Sequence, residues 1–250
     1  MTNQNYVYGV HAVKNYIKMH LNSVELIYLQ KNKVICDDIK RVVDSIKSVG
    51  GYVKLVDKVQ LDKMTNSAVH QGVVVSGVDG RHEYGDNDLS GLLSNLSQNP
   101  LILILDCVQD PHNFGACLRT ADAVGVDFVI FPKDKSASIT GVVRKVSTGA
   151  SESLKLVCVT NLVRAMKKLK DLGVWIVGLA GEIDETTIYD VDLADPVALV
   201  LGSEGSGLRR NTKNNCDYLV QLPMKGSVSS LNVSVAAGVS LYEALRQRRR

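Results

Sequence analysis

Residues 101–123 read LILILDCVQDPHNFGACLRTADA, and this stretch decides the fold class. An unbroken apolar run ends at Asp106 in a polar turn, and the turn leads into a helical pattern. The run VALVL at 197–201 has the same unbroken character. Strands without alternating polar residues are buried on both faces, as in parallel sheets that helices cover. The sequence therefore predicts a doubly wound α/β domain with a mainly parallel sheet.

Strands and helices alternate from residue 101 to the end of the chain. The predicted strands are residues 101–107, 128–131, 154–159, 175–180, 198–201 and 218–222. The predicted helices are residues 116–124, 141–148, 162–172, 207–214 and 232–248. This alternation assigns residues 101–250 to one domain.

Residues 1–76 are predicted to form a smaller α/β unit. Its helical patterns lie at 9–19 and 37–49, with a helical turn at 61–64, and its strands lie at 24–29, 52–56 and 72–76. Residues 77–100 are rich in Gly, Asp and Asn and end in Pro100. Such composition is typical of a linker, with residues 89–96 as the first helix of the next domain.

The charge balance says little about partners. The chain has a net charge of +3, distributed as +4 over residues 1–76, −3 over 77–100 and +2 over 101–250. The end of the chain, RQRRR at 246–250, is strongly basic. Such a terminus either contacts phosphates or complements the negative end of a helix dipole. The sequence leaves both interpretations open.

Cysteine usage and hydropathy indicate the compartment. The five cysteines show no CxxC spacing, which favours reduced thiols over disulfides or structural zinc. The opening residues MTNQNYVYG lack the apolar core of a signal peptide, and no apolar span reaches membrane length. We therefore expect a soluble, cytoplasmic protein without a membrane partner.

Three separated stretches place Gly, Asn, Ser and a few charges directly after apolar runs. They are residues 106–123 (DCVQDPHNFGACLRTADA), 199–209 (LVLGSEGSGLR) and 222–235 (LPMKGSVSSLNVSV). In an α/β sheet, ligands bind at the carboxyl ends of the strands. The sequence therefore predicts one pocket built from three distant parts of the chain.

Several common site chemistries are excluded by their missing motifs. GSEGSG at 202–207 lacks the Lys-Ser/Thr of a nucleotide triphosphatase and differs from the GxGxxG of a dinucleotide site. No GxSxG elbow of a serine hydrolase is present. The histidines, His11, His20, His70, His82 and His112, have no ligand spacing, and a metal site is not expected.

The polar residues that remain in the three turns are few. They are Asn113, Arg119, Glu204, Ser230 and Asn232. Such a set suits a reaction in which a cofactor carries the activation and the protein supplies position and electrostatics. Methyl transfer from a sulfonium fits this description, because the carbon is already electrophilic and alignment alone is worth about 7–11 kcal/mol.

The three stretches resemble the motifs of the SpoU (TrmH) family of knotted RNA ribose 2′-O-methyltransferases. The resemblance runs through residues 101–250 and rests on NFGACLRTADA, LVLGSEGSGLR and LPMKGSVSSLNVSVAAGVSLYEA. YVYGVHAV at 6–13 and AVHQGVVV at 68–75 resemble the small L30e-like substrate domain of the branch that methylates 23S ribosomal RNA. VSTGASES at 146–153 is similar to that branch as well.

The resemblance implies a fold, a cofactor and partners. It implies a C-terminal α/β-knot of the SPOUT class with a deep trefoil knot, S-adenosylmethionine as methyl donor and a homodimer with its site near the interface. The implied substrate is a guanosine ribose in the peptidyl-transferase region of 23S ribosomal RNA. We expect neither DNA nor a metal to take part.

The resemblance also assigns site residues. The implied catalytic residues are Arg119, Asn113, Glu204, Ser230 and Asn232. The implied cofactor-binding residues are Gly202, Leu222, Leu231, Met224 and Gly226. In the family the Arg119 position is assigned as the general base, but guanidinium stays protonated in proteins. We therefore expect Arg119 to bind the target phosphate and stabilise alkoxide charge.

Each of these residues has a structural alternative. Gly202 could serve a simple turn or the close approach of a ligand, and Glu204 could cap a helix starting near Ser206. Asn113 is predicted to fold the turn after Pro111. Either Ser230 or Asn232 could cap the last helix. Arg119 is predicted one and a half turns into the first helix of the domain, where it could be an ordinary exposed side chain.

Two other functions remain as alternatives. One is a tRNA ribose methyltransferase of the same family, whose simplest members resemble only residues 101–250. The other is an RNA-binding or ribosome-assembly protein without turnover. The N-terminal unit, for which we predict RNA capture through Lys14, Lys18, Lys31, Lys33, Lys40 and Arg41, argues against the first. The intact set of polar residues argues against the second.

Overall fold

A computed structural model describes residues 6–21, 24, 26–76, 83–95, 99–181 and 186–249. The chain divides into two compact units. The first comprises Met1–Arg81 and Ile139–Ser153, and the second comprises His82–Ser138 and Leu154–Arg250. Residues 139–153, which the sequence groups with the larger domain, thus pack with the N-terminal residues. Part of the predicted linker, residues 77–82 and 96–98, lies outside the described residues.

The first unit is a four-stranded sheet with helices. Its strands are β1 (Tyr6–Tyr8), β2 (Leu26–Gln30), β3 (Tyr52–Val56) and β4 (Val73–Ser76), and its helices are α1 (Val10–His20), α2 (Asp37–Ser48), α3 (Lys58–Met64), α6 (Gly141–Val146) and α7 (Ala150–Ser153). The sheet order is β1-β4-β2-β3, with β2 parallel to β3 and the other pairs antiparallel.

Apolar periodicity explains the core of this unit. In α2, Ile39, Val42 and Ile46 recur at helical spacing and are buried, while Asp37 and Asp38 occupy the first turn, where the helix dipole favours acidic side chains. These residues pack with the alternate residues of the strands, such as Ile27. The sequence missed β1, because three residues are too short for a recognisable period.

The second unit contains a seven-stranded sheet in which every pair of neighbours is parallel. Its strands are β5 (Glu83–Tyr84), β6 (Leu101–Asp106), β7 (Phe128–Pro132), β8 (Lys155–Val159), β9 (Trp175–Leu179), β10 (Val197–Gly202) and β11 (Tyr218–Val220). The order is β11-β9-β10-β6-β7-β8-β5. All six residues of β6 and all five of β7 are buried. The predicted α/β class with a mainly parallel sheet is confirmed.

Helices cover this sheet. They are α4 (Leu89–Ser94), α5 (Pro111–Val124), α8 (Leu162–Lys170), α9 (Arg210–Lys213) and α10 (Val233–Arg248), with a 3₁₀ turn at Ile188–Asp190. No helix among the described residues is long and apolar enough to cross a membrane.

Two helix starts in the second unit differ from the prediction by three or more residues. Helix α5 begins five residues earlier than expected, because Asp110 accepts hydrogen bonds from the backbone N–H groups of His112 (3.1 Å) and Asn113 (3.3 Å) and Pro111 suits the first helical position. Helix α9 begins at Arg210 instead of residue 207, because the preceding residues close a hairpin-like turn.

Two arginines of the basic terminus are engaged by the protein itself. Arg246 forms a two-point ion pair with the buried Glu243, with both N–O distances at 2.7 Å. The guanidinium of Arg248 donates to the backbone carbonyls of Asn99, Pro100, Leu193 and Asp195. These two arginines therefore anchor the end of α10 and are not free for phosphates.

Candidate active site

The motif loops meet at the carboxyl ends of β9, β10 and β11. They enclose a cavity of about 360 Å³. It is lined by residues 179–181, 201–208, 220–222 and 229–231, with Lys213, Met224, Val233 and Ala236. The sequence predicted that all three motifs converge on one pocket. The second and third motifs line this cavity, but no residue of the first motif, 106–123, does, and the prediction missed residues 179–181. Leu179 is the last residue of β9, and residues 180 and 181 follow it at the carboxyl end of the strand. The end of this apolar run was the signal that could have identified them.

A larger cavity of about 740 Å³ lies elsewhere in this unit, near Asn99, Tyr189 and Arg246. It contains none of the predicted site residues. Its arginines, Arg246 and Arg248, are already paired with protein oxygens. The smaller cavity, which several of the predicted site residues line, is therefore the candidate active site.

Gly202 is required by the turn that follows it. A Cβ at this position would collide with the backbone of Gly207 and Leu208. The turn is closed by hydrogen bonds from Ser203 N to Gly207 O (3.1 Å) and from Gly207 N to Ser203 O (3.0 Å). Gly205 and Gly207 have positive φ angles of 82° and 64°, which glycine adopts without strain. Gly202 also lines the cavity, and the chain's own turn is sufficient reason for a glycine there.

Glu204 joins the three motifs. Its Oε1 accepts hydrogen bonds from Asn113 Nδ2 and Asn232 Nδ2, both at 2.6 Å. Asn232 Nδ2 also lies 3.1 Å from Asn113 Oδ1. Hydrogen bonds to an ionised carboxylate are shorter and stronger than neutral ones. One side chain from each motif thus forms a closed triangle beside the cavity.

The triangle corrects two local predictions. Glu204 does not precede a helix at Ser206, because residues 203–207 form the turn described above and α9 begins only at Arg210. Asn113 does not form a loop turn after Pro111, since it is already part of helix α5. Of the two candidate caps for the last helix, Asn232 is the cap, with its Oδ1 accepting from Ser234 N at 2.9 Å.

The predicted cofactor residues fall into two groups. Gly202, Leu222, Met224 and Leu231 all line the cavity, together with the predicted catalytic residues Glu204 and Ser230. Gly226 lies in the same loop but is not part of the lining.

Arg119 stands apart from the triangle. It is the ninth residue of α5, more than two turns into the helix rather than one and a half, because the helix starts early. Its side chain is exposed, does not line the cavity, and has no hydrogen bond or ion pair with any described residue. A guanidinium whose five donors make no hydrogen bond to the described part of the chain can bind an external anion.

Cys117 lies in α5, four residues after Asn113, and is completely buried. Burial, with a smaller contribution from the charge of Glu204, raises the pKa of its thiol to about 12. The thiol therefore stays protonated at neutral pH and is unsuited to nucleophilic catalysis.

The described residues contain no group of three His, Cys, Asp or Glu side chains placed to hold a metal ion. The cavity itself is small, partly apolar and bordered by main-chain turns, within the size range of small-molecule sites. Its lining can hold and orient a ligand, while the nearby polar side chains offer hydrogen bonds rather than a nucleophile. The arrangement suits transfer of a group that a cofactor has already activated.

Comparison with known proteins identifies the family of the chain. A family model described as "SpoU rRNA Methylase family" matches residues 100–242, and one described as "RNA 2'-O ribose methyltransferase substrate binding" matches residues 6–76. The 23S rRNA (guanosine-2'-O-)-methyltransferase RlmB of Pectobacterium atrosepticum is 46% identical over 97% of this chain and 98% of its own length. The RlmB protein of Pseudomonas aeruginosa is 49% identical over 97% and 96%.

A solved structure has the same fold. The SpoU methyltransferase AviRb from Streptomyces viridochromogenes superimposes with a TM-score of 0.79 at 25% identity, covering 98% of this chain and 90% of its own. Its complex with AdoMet superimposes with a TM-score of 0.78 at 22% identity, with the same coverage of both chains.

Proposed function

The chain belongs to the SpoU rRNA methylase family, and on that premise we propose that it transfers the methyl group of S-adenosylmethionine to the ribose 2′-OH of a guanosine in 23S ribosomal RNA. The relatives named for this reaction align over 97% of the chain, so both units are included. The observation that carries the proposal is the Asn113–Glu204–Asn232 triangle beside the cavity, because it joins all three family motifs at one place.

The cavity is the proposed cofactor site. S-adenosylmethionine supplies an electrophilic methyl group when bound. The side chains of Leu222, Met224 and Leu231 offer apolar flanks for an adenosine, and the turn after Gly202 offers main-chain groups. A volume of about 360 Å³ falls within the range of small-molecule pockets.

Arg119 is proposed to act on the RNA. Its free guanidinium binds the phosphate next to the target ribose and stabilises the developing charge on the attacking oxygen. Asn113, held by Glu204 at 2.6 Å, keeps the start of the same helix in place. The target is RNA and not DNA, because the accepting group is the 2′-hydroxyl.

The first unit is proposed to capture ribosomal RNA, in keeping with its match to a substrate-binding family model. Three of its predicted basic residues are already paired: Lys14 with Asp38 (2.9 Å), Lys40 with Asp37 (2.8 Å) and Lys31 with Asp57 (3.6 Å). Phosphate contacts therefore fall to the predicted residues without an ion pair to a described carboxylate, which are Lys18, Lys33 and Arg41.

A homodimer is also proposed. Helix α10 leaves Val235 50% exposed and Tyr242 54% exposed, seven residues apart on one face. Exposed apolar side chains at this spacing form a stripe that a second copy would cover. We place the reaction in the cytoplasm, where ribosomal RNA is processed.

The test is a map of 2′-O-methyl nucleotides in ribosomal and transfer RNA from cells with and without the gene. We expect one 2′-O-methylguanosine of 23S ribosomal RNA to disappear with the gene and all transfer RNA positions to stay modified. Loss of a transfer RNA modification instead would favour the tRNA enzyme. An unchanged map would favour the non-catalytic RNA-binding protein.

A further inference from the structure

Asp106 is a completely buried carboxylate at the end of β6. It is held by Arg209, which follows the Gly202–Gly207 turn. The backbone N–H of Arg209 donates to Asp106 Oδ2 at 3.0 Å. The Nε and Nη2 atoms of the same residue both lie 2.7 Å from Oδ1. Every oxygen of the carboxylate is therefore engaged by one residue, through both its main chain and its side chain.

The pair stands at the base of the site. Asp106 is the register partner of Gly202, the last residue of β10. The chain leaves the sheet at Gly202, turns through residues 203–207 and returns to the sheet edge at Arg209. The segment between the two anchor points carries Glu204 and lines the cavity. Its shape is thus fixed at its start by the sheet and at its end by Asp106.

Energetics favour a geometric role for this pair over a purely stabilising one. Removing a carboxylate from water is costly, and a buried ion pair often adds little net stability compared with apolar residues of similar size. Arg209 is 45% exposed, so its charge stays partly hydrated. The pair makes three directional hydrogen bonds, which apolar side chains could not make, and these bonds fix the position of the Arg209 backbone.

We propose that Asp106 and Arg209 are positioning residues that hold residues 203–208 in a cofactor-ready shape before the cofactor binds. The proposal rests on the function proposed above, and neither residue is among the site residues that the family resemblance implies. Preorganisation of this kind lowers the ordering cost of binding. Loss of the pair leaves the cavity lining present but mobile.

A matched control lies at the amino-terminal ends of the strands of the same sheet, opposite the cavity. Asp217 accepts a hydrogen bond from the backbone N–H of Ile176 (2.9 Å) and pairs with Lys170 Nζ (2.7 Å). It is likewise a carboxylate at a strand end, held by one main-chain and one cationic donor. It precedes β11 and does not line the cavity. Asp217→Asn therefore removes a similar clamp away from the proposed site.

The experiment measures the loop and the ligand separately on the full-length protein. Hydrogen exchange of the Ser203 and Gly207 amides, which the turn protects, is followed without cofactor. Calorimetry gives the Kd for S-adenosylmethionine. The variants are Asp106→Asn, Arg209→Gln, Arg209→Lys, the Asp106→Asn/Arg209→Gln double variant and Asp217→Asn.

We expect Asp106→Asn and Arg209→Gln each to speed exchange of the two amides at least tenfold and to raise the Kd at least tenfold. The double variant should show no faster exchange and no higher Kd than the more strongly affected single variant, because the two residues act as one unit. Arg209→Lys keeps the charge but loses the planar guanidinium with its several donors. Its exchange rates and Kd should lie between those of the wild type and of Arg209→Gln. Asp217→Asn should lower the unfolding midpoint and leave both readouts within twofold of the wild type.

Unchanged exchange and unchanged Kd in the Arg209 variants would overturn the proposal, as would equal effects in Asp217→Asn. Arg209 is half exposed, so its variants are expected to fold. They therefore test the positioning role even if Asp106→Asn does not fold. Failure of the wild type to bind S-adenosylmethionine would contradict the proposed function instead, and the exchange rates would still test the positioning role.

Discussion

Glu204 links the first and third motifs, because its Oε1 accepts from Asn113 and from Asn232 at the same time. The three residues come from segments that are up to 119 residues apart in the chain. The Glu204 carboxylate therefore joins the motifs through hydrogen bonds. Its charge should matter as much as its shape.

We predict that Glu204→Gln lowers kcat/KM for RNA methylation by about 10- to 100-fold, because hydrogen bonds to a charged group are worth about 1.5–3 kcal/mol. The amide keeps the size of the side chain and removes its charge. Steady-state kinetics with ribosomal RNA provide the measurement. Asp171→Asn, an exposed carboxylate after α8, is the control and should leave the kinetics unchanged. Wild-type kinetics in Glu204→Gln would show that the triangle does not support the reaction.

Arg119 is expected to act by charge and not by proton transfer. Arg119→Ala should lower kcat by about 10²–10³, the usual effect of losing one electrostatic donor, and leave the Kd for S-adenosylmethionine unchanged, because the residue does not line the cavity. Arg119→Lys should keep part of the activity.

The pH dependence of kcat separates the two roles. For electrostatic stabilisation, the pH at which the rate reaches its plateau lies well below any guanidinium titration and is the same in the wild type and Arg119→Lys. A plateau that moves with the substituted side chain would identify residue 119 as the base.

Sequence patterns identified these residues but not their contacts. Asn113 and Glu204 each have a local explanation, as a turn former and as a helix cap, and local rules choose between such explanations without knowledge of distant partners. The observed partners are 91 residues apart. Only the folded chain, or a family resemblance that stands for it, brings them together. The Asp106–Arg209 pair, 103 residues apart, was missed for the same reason.

At the scale of elements, the predicted strands agree with the observed ones to within two residues at each end, because their apolar runs end at polar residues. The two shortest strands, β1 and β5, were missed, because two or three residues show no period. Helix starts were harder. The first turn of α5, with the sequence PHNFG, has no apolar period, and its helical state depends on the cap at Asp110. The turn at 203–207 was taken for a helix start, because Ser and Glu favour both structures.

Asp86 ties the turn before α4 to the end of β8. Its Oδ2 accepts from the backbone N–H of Thr160 at 2.9 Å and from its hydroxyl at 2.8 Å. Burial opposes ionisation, but these two hydrogen bonds, with Arg164 and Lys168 nearby, outweigh it and lower the pKa of the carboxyl. The ionised form is therefore stabilised by folding.

From this we predict a pH-dependent stability difference. A lowered folded pKa contributes stability that is present above the unfolded pKa near 3.8 and is lost as the pH falls through the folded value. Asp86→Asn should cost about 1 kcal/mol of unfolding free energy at pH 7, and the cost should shrink as the pH falls below 3.8. Urea denaturation across this range is the measurement, with the exposed Asp134→Asn as control. A difference that is constant with pH would contradict this assignment.

At the scale of the whole molecule, residues 139–153 show what composition cannot indicate. They follow a strand of the second unit in sequence, yet they pack with the N-terminal residues, where Asn15 Nδ2 donates to Thr148 O at 2.8 Å. The threading of a knot is equally absent from any periodic pattern. Periodicity predicted the α/β class and its parallel sheet, while the family resemblance alone implied the knot.

The exposed stripe on α10 makes a prediction about assembly. Val235→Glu and Tyr242→Glu should each convert a dimer to a monomer in sedimentation equilibrium, because a buried charge without a partner is costly. Val59→Glu changes an equally exposed valine of α3, 65% accessible, and should leave the dimer intact. A wild-type monomer, or variants that remain dimeric, would rule out α10 as the contact.

The most direct test of the account is methyl transfer by the purified protein. Unmodified 23S ribosomal RNA is incubated with S-adenosylmethionine carrying a labelled methyl group, and the RNA is digested to nucleosides for mass spectrometry. We predict label in 2′-O-methylguanosine, and about 10²- to 10³-fold slower labelling when Arg119→Ala replaces the wild type at equal concentration. Label confined to base-methylated nucleosides, or no label with a protein that binds the donor, would contradict the account.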